Sequence, residues 1–157
     1  MNNDALITAH GGYKNLKSFQ TATLIYDLTV EFCERYVNQW RMKDQMIQAA
    51  RSGRQNIAEG SQASGTSKKT EIKLVNVARA SLEELLLDYQ DYLRQHKLPV
   101  FDKAHLVAQE IRALAYRSNR SYKTYWTYMT EPGTAANALI CIIHQANYLL
   151  DRQLRSL

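Results

Sequence analysis

Proline and glycine are scarce in this chain, which has two prolines and six glycines among 157 residues. Both residues interrupt helices, so their scarcity favours long, unbroken helices. Long apolar runs are also absent: the most apolar stretch, residues 138–143, is far shorter than the roughly 20 residues that span a bilayer. Residues 1–4 lack the basic and apolar regions of a secretion signal. These absences predict a single cytoplasmic, all-α domain over residues 1–157 that does not bind a membrane.

Motifs for catalysis or cofactor binding are missing as well. The sequence contains no Glu-x-x-His motif of a di-metal helical protein, no phosphate-binding glycine loop and no serine nucleophile elbow. Its four histidines lack the spacing of metal ligands. We therefore expect a protein that is not an enzyme and holds neither a metal nor a cofactor. Cys33 and Cys141 both lie among apolar residues, which predicts buried free thiols and leaves a disulfide between them as the alternative.

What the chain does contain is a series of helical stripes. One stretch carries mostly small residues at the 4-3-4-3 spacing of a packed helix seam: Met46, Ala50, Gly53, Ile57 and Gly60. Small residues at such positions let a neighbouring helix approach closely. Asn56 lies beside this seam, one turn after Ser52. We interpret Asn56 as a structural residue whose interhelical hydrogen bond fixes the register of the two helices.

Three more stripes of apolar residues predict three further long helices. They run over residues 22–40, 75–92 and 135–149. Ser18 is expected to cap the helix that carries the first stripe, and the helix that carries the second stripe is expected to start after Ser67. Pro132 suits the first turn of the last helix. Residues 1–17 show no sustained period and are predicted to form a loose arm. Residues 99–131 form an insert, with a helix that Asp102 is expected to cap.

Two short motifs in this pattern resemble a known family. They are the run Ser52–Gly60 and, after Glu71, the run Ala78–Leu85. Together they resemble the four-helix-bundle family of proteins encoded in intervening sequences of 23S rRNA genes. The accessory variability determinant of diversity-generating retroelements belongs to the same family. The resemblance covers residues 16–96 and the last helix, and the insert is similar to a longer form with an extended C-terminal portion. The structural residues of the first motif are Ser52, Gly53, Asn56, Glu59 and Gly60.

The resemblance implies a fold, an assembly and a function. The fold is an antiparallel up-and-down four-helix bundle with an extra helical insert before the last helix. The assembly is a ring-shaped homo-oligomer, with a pentamer favoured. The function is that of a nucleic-acid-binding or ribonucleoprotein accessory module, with RNA or DNA and a reverse transcriptase as partners. The alternative is a protein–protein interaction scaffold that has no nucleic-acid role.

The charge of the chain gives moderate support to a nucleic-acid partner. The formal net charge is +5, with 20 lysines and arginines against 15 acids. We predict that one group of cations, here called the loop–helix set, lies near the loop at residues 61–67 and binds phosphate. The loop–helix set consists of Lys68, Lys69, Lys73, Arg51 and Arg54.

A second group of cations, here called the insert set, lies in a stretch rich in aromatic residues. The insert set consists of Arg117, Arg120 and Lys123. Tyr122 and Trp126 are candidate stacking partners for the bases of a single strand. The alternative is a helix whose Tyr122, Tyr125, Trp126 and Met129 simply cover the core, and the sequence favours this second interpretation because the aromatic pattern is not specific.

Overall fold

The computed structural model describes residues 12–157, and this part of the chain is helical with no β-strand. The prediction of an all-α protein is therefore confirmed. The α-helices of the described chain are α1 (Lys17–Tyr36), α2 (Trp40–Ala63), α3 (Lys68–Gln95), α4 (Leu106–Leu114) and α5 (Pro132–Arg155). Two 3-10 helices accompany them, at Tyr13–Asn15 and Tyr122–Met129.

Local signals in the sequence account for the ends of these helices. The Ser67 hydroxyl accepts a hydrogen bond from the backbone N–H of Thr70 and so caps α3, which begins after Ser67 as predicted. The prediction that Ser18 caps the first helix is wrong, because α1 already begins at Lys17 and the Ser18 hydroxyl donates to the Gln153 side chain instead. Pro132 occupies the first turn of α5, where its missing N–H has no cost. At the other end of α3, Lys97 adopts a left-handed conformation with a φ of 57°. The N–H of Leu98 then bonds back to the carbonyl of Leu93, which closes the helix.

The four long helices share one hydrophobic core. Helix α2 packs against α1 and α3, and α5 packs against the same two helices. A hydrogen bond of 2.7 Å between the hydroxyls of Thr29 and Tyr89 joins α1 to α3 inside this core. The Tyr89 ring also meets Phe32 edge-on at a centroid distance of 5.0 Å. All three side chains are fully buried, so the polar pair is satisfied without water.

The insert before α5 is partly helical, and its first residues are tied to α5 by one amide side chain. Asn137 accepts a hydrogen bond from the N–H of Phe101 and donates to the carbonyls of Pro99 and Gly133. The prediction that Asp102 caps the helix is wrong. Helix α4 begins four residues later and is capped by His105, whose Nδ1 accepts from the N–H of Val107. Asp102 instead closes a turn by accepting from the N–H of Ala104.

The predicted N-terminal arm, residues 1–17, falls largely outside the described residues, since residues 1–11 are not described. Within the described part, Tyr13–Asn15 forms a 3-10 helix and Lys17 begins α1. The Tyr13 ring packs edge-on against Phe19 at a centroid distance of 4.9 Å. These residues therefore form one wall beside the start of α1.

Neither cysteine of the described chain forms a disulfide. Cys33 is fully buried, and burial raises the pKa of its thiol to about 12. Cys141 is only partly buried, so the prediction of burial holds fully for the first thiol alone. None of the helices in residues 12–157 combines the length and hydrophobicity that crossing a membrane requires.

Candidate nucleic-acid interface

The predicted small-residue seam of α2 faces α3. A Cβ atom added to Gly53 would lie 2.7 Å from Cδ2 and 2.9 Å from Cγ of Leu82, which is fully buried. Such distances are shorter than van der Waals contact, so the two helices approach each other here as closely as glycine allows. Gly60 has more room, because a Cβ there would lie 3.4 Å from Val75.

The polar residues beside the seam connect α2 to α3 in two steps, because Asn56 bonds to Ser52 and Ser52 bonds to α3. Asn56 donates to the carbonyl and the hydroxyl of Ser52 in its own helix. The bond between the helices is made by Ser52, whose hydroxyl lies 2.8 Å from that of Ser81 in α3. The interpretation of Asn56 as the interhelical residue is therefore wrong: it orients the serine that makes the bond. Glu59 is exposed to solvent.

Arg54 lies on the opposite side of α2, toward α1. Its Nε donates to the hydroxyl of Thr23 at 2.9 Å, and its Nη1 donates to the side-chain oxygen of Gln55. The guanidinium also lies over the Phe19 ring, 4.7 Å from the centroid. Because its neighbour Gly53 faces α3, a step of one residue along the helix turns Arg54 away from that helix.

The other members of the loop–helix set are exposed. Lys68, Lys69 and Lys73 lie on the first two turns of α3, and Arg51 lies on α2. The side chains of these four residues make no hydrogen bond or ion pair with another described residue. The structure therefore divides the loop–helix set, because Arg54 alone is held between α1 and α2.

The insert set is divided in the same way. Arg120 is half-buried: its Nη1 donates to the Tyr125 hydroxyl at 3.1 Å and its Nη2 lies 3.5 Å from the Thr21 hydroxyl. Arg117 and Lys123 are exposed. Arg120 therefore contacts Thr21 of α1, and Thr23, which holds Arg54, lies two residues further along the same helix.

The aromatic residues of this segment mostly pack onto the protein. Tyr125 and Met129 are fully buried in the 3-10 helix. Arg35 lies over the Trp126 ring at 4.8 Å, and Tyr122 lies 5.9 Å from the same ring. Tyr125 and Met129 therefore cover the core, with a 3-10 helix in place of the expected α-helix, whereas Tyr122 and Trp126 are 37% and 42% exposed.

Arg54 and Arg120 line one continuous depression, which we call the basic groove. It consists of two adjoining cavities of about 490 and 510 Å³ that share Gln20, Leu24 and Arg120. Five cations line the groove: Lys14, Lys17, Arg54, Arg117 and Arg120. Asp27 is the one acid among the described lining residues. The groove thus brings together one cation from the loop–helix set and two from the insert set.

Two further side chains define the chemistry of the basic groove. Burial raises the pKa of Asp27, and the nearby Arg54 guanidinium opposes this by lowering it. Tyr116 lines the second cavity and is 90% exposed, so its ring is available to a ligand. Sequence reasoning did not select Lys14 or Lys17, which lie far from Arg120 along the chain. Tyr116 lies in the same basic and aromatic stretch as the insert set but was not among the stacking candidates.

Acidic residues collect elsewhere, on the C-terminal half of α3. Arg79 pairs there with Glu83 at 2.8 Å and with Asp151 of α5 at 3.0 Å. Burial and the neighbouring Glu84 and Asp91 raise the pKa of Asp88 to about 6. The described chain therefore separates its charges, with the cations of the groove apart from this acidic stripe. Among residues 12–157 no group of three or more potential metal ligands is close enough to hold an ion.

These features define a small all-helical protein with a cationic groove beside its first two long helices. The model of the 23S rRNA-intervening sequence protein family matches residues 15–95, just over half of the chain. The chain therefore belongs to the 23S rRNA-intervening sequence protein family, as its motifs predicted. The matched residues include Arg54, whereas Arg117 and Arg120 lie beyond them. No curated protein and no solved structure matches the chain.

Proposed function

We propose that this protein is a non-catalytic nucleic-acid-binding or ribonucleoprotein accessory module of the cytoplasm. The observation that carries the proposal is the basic groove, where five cations face a single acid among the described lining residues. Cations gathered in a concave surface attract phosphate and release its counterions on binding. A reverse transcriptase is the proposed protein partner, by analogy with the retroelement members of the family.

The proposed architecture is an antiparallel up-and-down four-helix bundle with an extra helical insert before the last helix. Contacts along α2 and α3 support this arrangement. Gly60 lies against Val75, and Gly53, two turns earlier in α2, lies against Leu82, two turns later in α3. In antiparallel neighbours, the residue numbers of contacting pairs increase along one helix as they decrease along the other.

The proposed assembly is a ring-shaped homo-oligomer, with a pentamer favoured. Support comes from α3, where Val77 is 41% exposed and Leu87 is 52% exposed on its solvent side. Exposed large apolar side chains gain free energy when a second surface covers them. The same side chains support the alternative function, a protein–protein scaffold without a nucleic-acid role.

Light scattering combined with RNA binding tests the proposal. The wild-type protein should have a mass several times that of an 18.1 kDa monomer and should bind RNA in a salt-dependent manner. Val77→Lys with Leu87→Lys should shift the mass toward the monomer, because both side chains are already exposed in the single chain. An oligomer that binds neither RNA nor DNA at low salt would favour the scaffold, and a wild-type monomer would contradict the ring.

A further inference from the structure

We infer that the basic groove is the path of a single nucleic-acid strand, with Arg54 and Arg120 on its phosphates and Tyr116 stacked on a base. This inference rests on the proposed function and adds the site and the form of the ligand. It also implies that Lys68, Lys69 and Lys73 are not the main contacts. The argument starts from how the two arginines are held.

Two threonines of α1 hold the arginines in the same way. The hydroxyls of Thr21 and Thr23 each donate to the carbonyl four residues earlier in their own helix. Their oxygen atoms are then oriented as acceptors, and Arg120 and Arg54 respectively donate to them. A guanidinium fixed in this way loses less conformational entropy when it binds an anion.

Both guanidinium groups keep hydrogen-bonding capacity for a ligand. Each guanidinium makes two hydrogen bonds to described residues. One nitrogen donates to a threonine, and another donates to Gln55 in the case of Arg54 and to Tyr125 in the case of Arg120. An arginine has five N–H donors, so roughly three per side chain remain for a phosphate. Lys14, Lys17 and Arg117 add charge along the rim of the groove.

The shape of the groove favours a single strand over a duplex. The two cavities adjoin and are each in the size range of small-molecule pockets, which suits successive nucleotides. A duplex presents its phosphates on a convex exterior and keeps its bases paired inside. Tyr116 projects its exposed ring beside the second cavity, where an unpaired base is able to stack. A positively charged groove with an aromatic residue is the usual arrangement for binding single strands.

A salt series of fluorescence anisotropy on a labelled single-stranded RNA tests this site. Arg54→Gln with Arg120→Gln should weaken binding by about tenfold or more, since charge-assisted hydrogen bonds are lost. The slope of log affinity against log salt should also fall by about 1.4, because two cations are removed. Lys68→Gln with Lys69→Gln is the matched control, which removes the same charge from exposed positions and should change affinity by less than about threefold.

Further variants at exposed positions keep the test valid if the two arginine substitutions destabilise the fold. Lys14→Gln with Lys17→Gln alters exposed side chains at the rim and should also weaken RNA binding. Tyr116→Ala should weaken binding by about fivefold or more through lost stacking, whereas Tyr148→Ala, on an exposed tyrosine outside the groove, should not. A duplex of the same sequence should bind the wild type more weakly than the single strand.

The outcomes distinguish a failure of the groove assignment from a failure of the proposed function. If the wild type binds RNA but only the Lys68/Lys69 variant loses affinity, the groove assignment is wrong and the proposed function stands. Equal binding of the duplex and the single strand would also overturn the assignment. If the wild type binds no nucleic acid at low salt, the proposed function fails and the groove assignment fails with it.

Discussion

The two sides of α2 differ in what they bring together. Toward α3, the helix presents Gly53 and Ser52 and permits a close approach in which Leu82 would overlap an added Cβ. Toward α1, it presents Arg54, whose long side chain is hydrogen-bonded across a depression. Small side chains permit close packing on the first side, whereas on the second side Arg54 lines a depression. In the proposed function, one helix therefore serves packing on one side and a ligand on the other.

This difference leads to different expectations for mutations. Changes on the α3 side should alter the free energy of unfolding, because buried atoms have no room to move. Changes on the α1 side should alter affinity for nucleic acid, because the groove is solvated and its arginines keep donors free of protein contacts. A mutation that affected both properties equally would contradict the distinction.

The largest expected effect follows from Gly53→Leu. The new side chain would overlap Leu82, which is fully buried, so the helices must separate. We expect a loss of at least about 3 kcal/mol in the free energy of unfolding, at the upper end of typical overpacking. Urea unfolding followed by circular dichroism measures this loss.

The matched control is Gly60→Ala in the same helix. Its Cβ would lie 3.4 Å from Val75, and alanine favours a helix over glycine by about 1 kcal/mol. We therefore expect unchanged or slightly increased stability for Gly60→Ala. If Gly53→Leu unfolds at the same urea concentration as the wild type, α2 and α3 are not in the close contact described here.

The next effect concerns the attachment of the insert. Asn137→Leu removes three hydrogen bonds and leaves the N–H of Phe101 and the carbonyl of Pro99 without their partner, whereas the Gly133 carbonyl keeps its backbone bond in α5. We expect a loss of about 2 kcal/mol in stability, since buried unpaired groups are costly. Hydrogen exchange should speed up at residues 99–105 and remain unchanged in α2. Uniform acceleration throughout the chain would contradict a local role.

The smallest effect concerns the acid in the groove. Asp27→Asn removes a carboxylate whose charge interacts with Arg54 and should strengthen RNA binding about fivefold, the size of one Coulomb contact in water. The pKa of Asp27 is raised, so lowering the pH protonates this carboxyl earlier than an ordinary aspartate. Wild-type affinity should therefore rise more between pH 7 and pH 4 than that of Asp27→Asn. Glu34→Gln, at an exposed α1 position outside the groove, is the control, and equal pH profiles for wild type and Asp27→Asn would refute the prediction.

The sequence predicted the helices and the packed side of α2 because both depend on local periodicity. Gly53 stood out since glycine is unfavourable inside a helix unless close packing compensates. The start of α3 after Ser67 and the place of Pro132 were predictable because helix-start signals are local. The same kind of signal failed at Ser18, which lies inside α1 rather than capping it. The family was predictable because its motif lies within the matched residues 15–95.

The groove was not predictable, because Arg54 and Arg120 are far apart in sequence and meet only through Thr21 and Thr23. Their meeting depends on the path of the insert, which Asn137 fixes with bonds to residues distant in sequence. The aromatic spacing of residues 122–129 fits an α-helix as well as the observed 3-10 helix. The sequence therefore could not show that one cation of the loop–helix set lies beside two of the insert set.

Photo-crosslinking of a single-stranded RNA that contains 4-thiouridine tests the central claim most directly. After digestion, mass spectrometry locates the crosslinked peptides on the wild-type protein without any mutation. The basic groove predicts crosslinks at residues 13–20 and 116–122, including Tyr116. Crosslinks confined to residues 68–77 would contradict it, because the strand would then lie on the exposed start of α3.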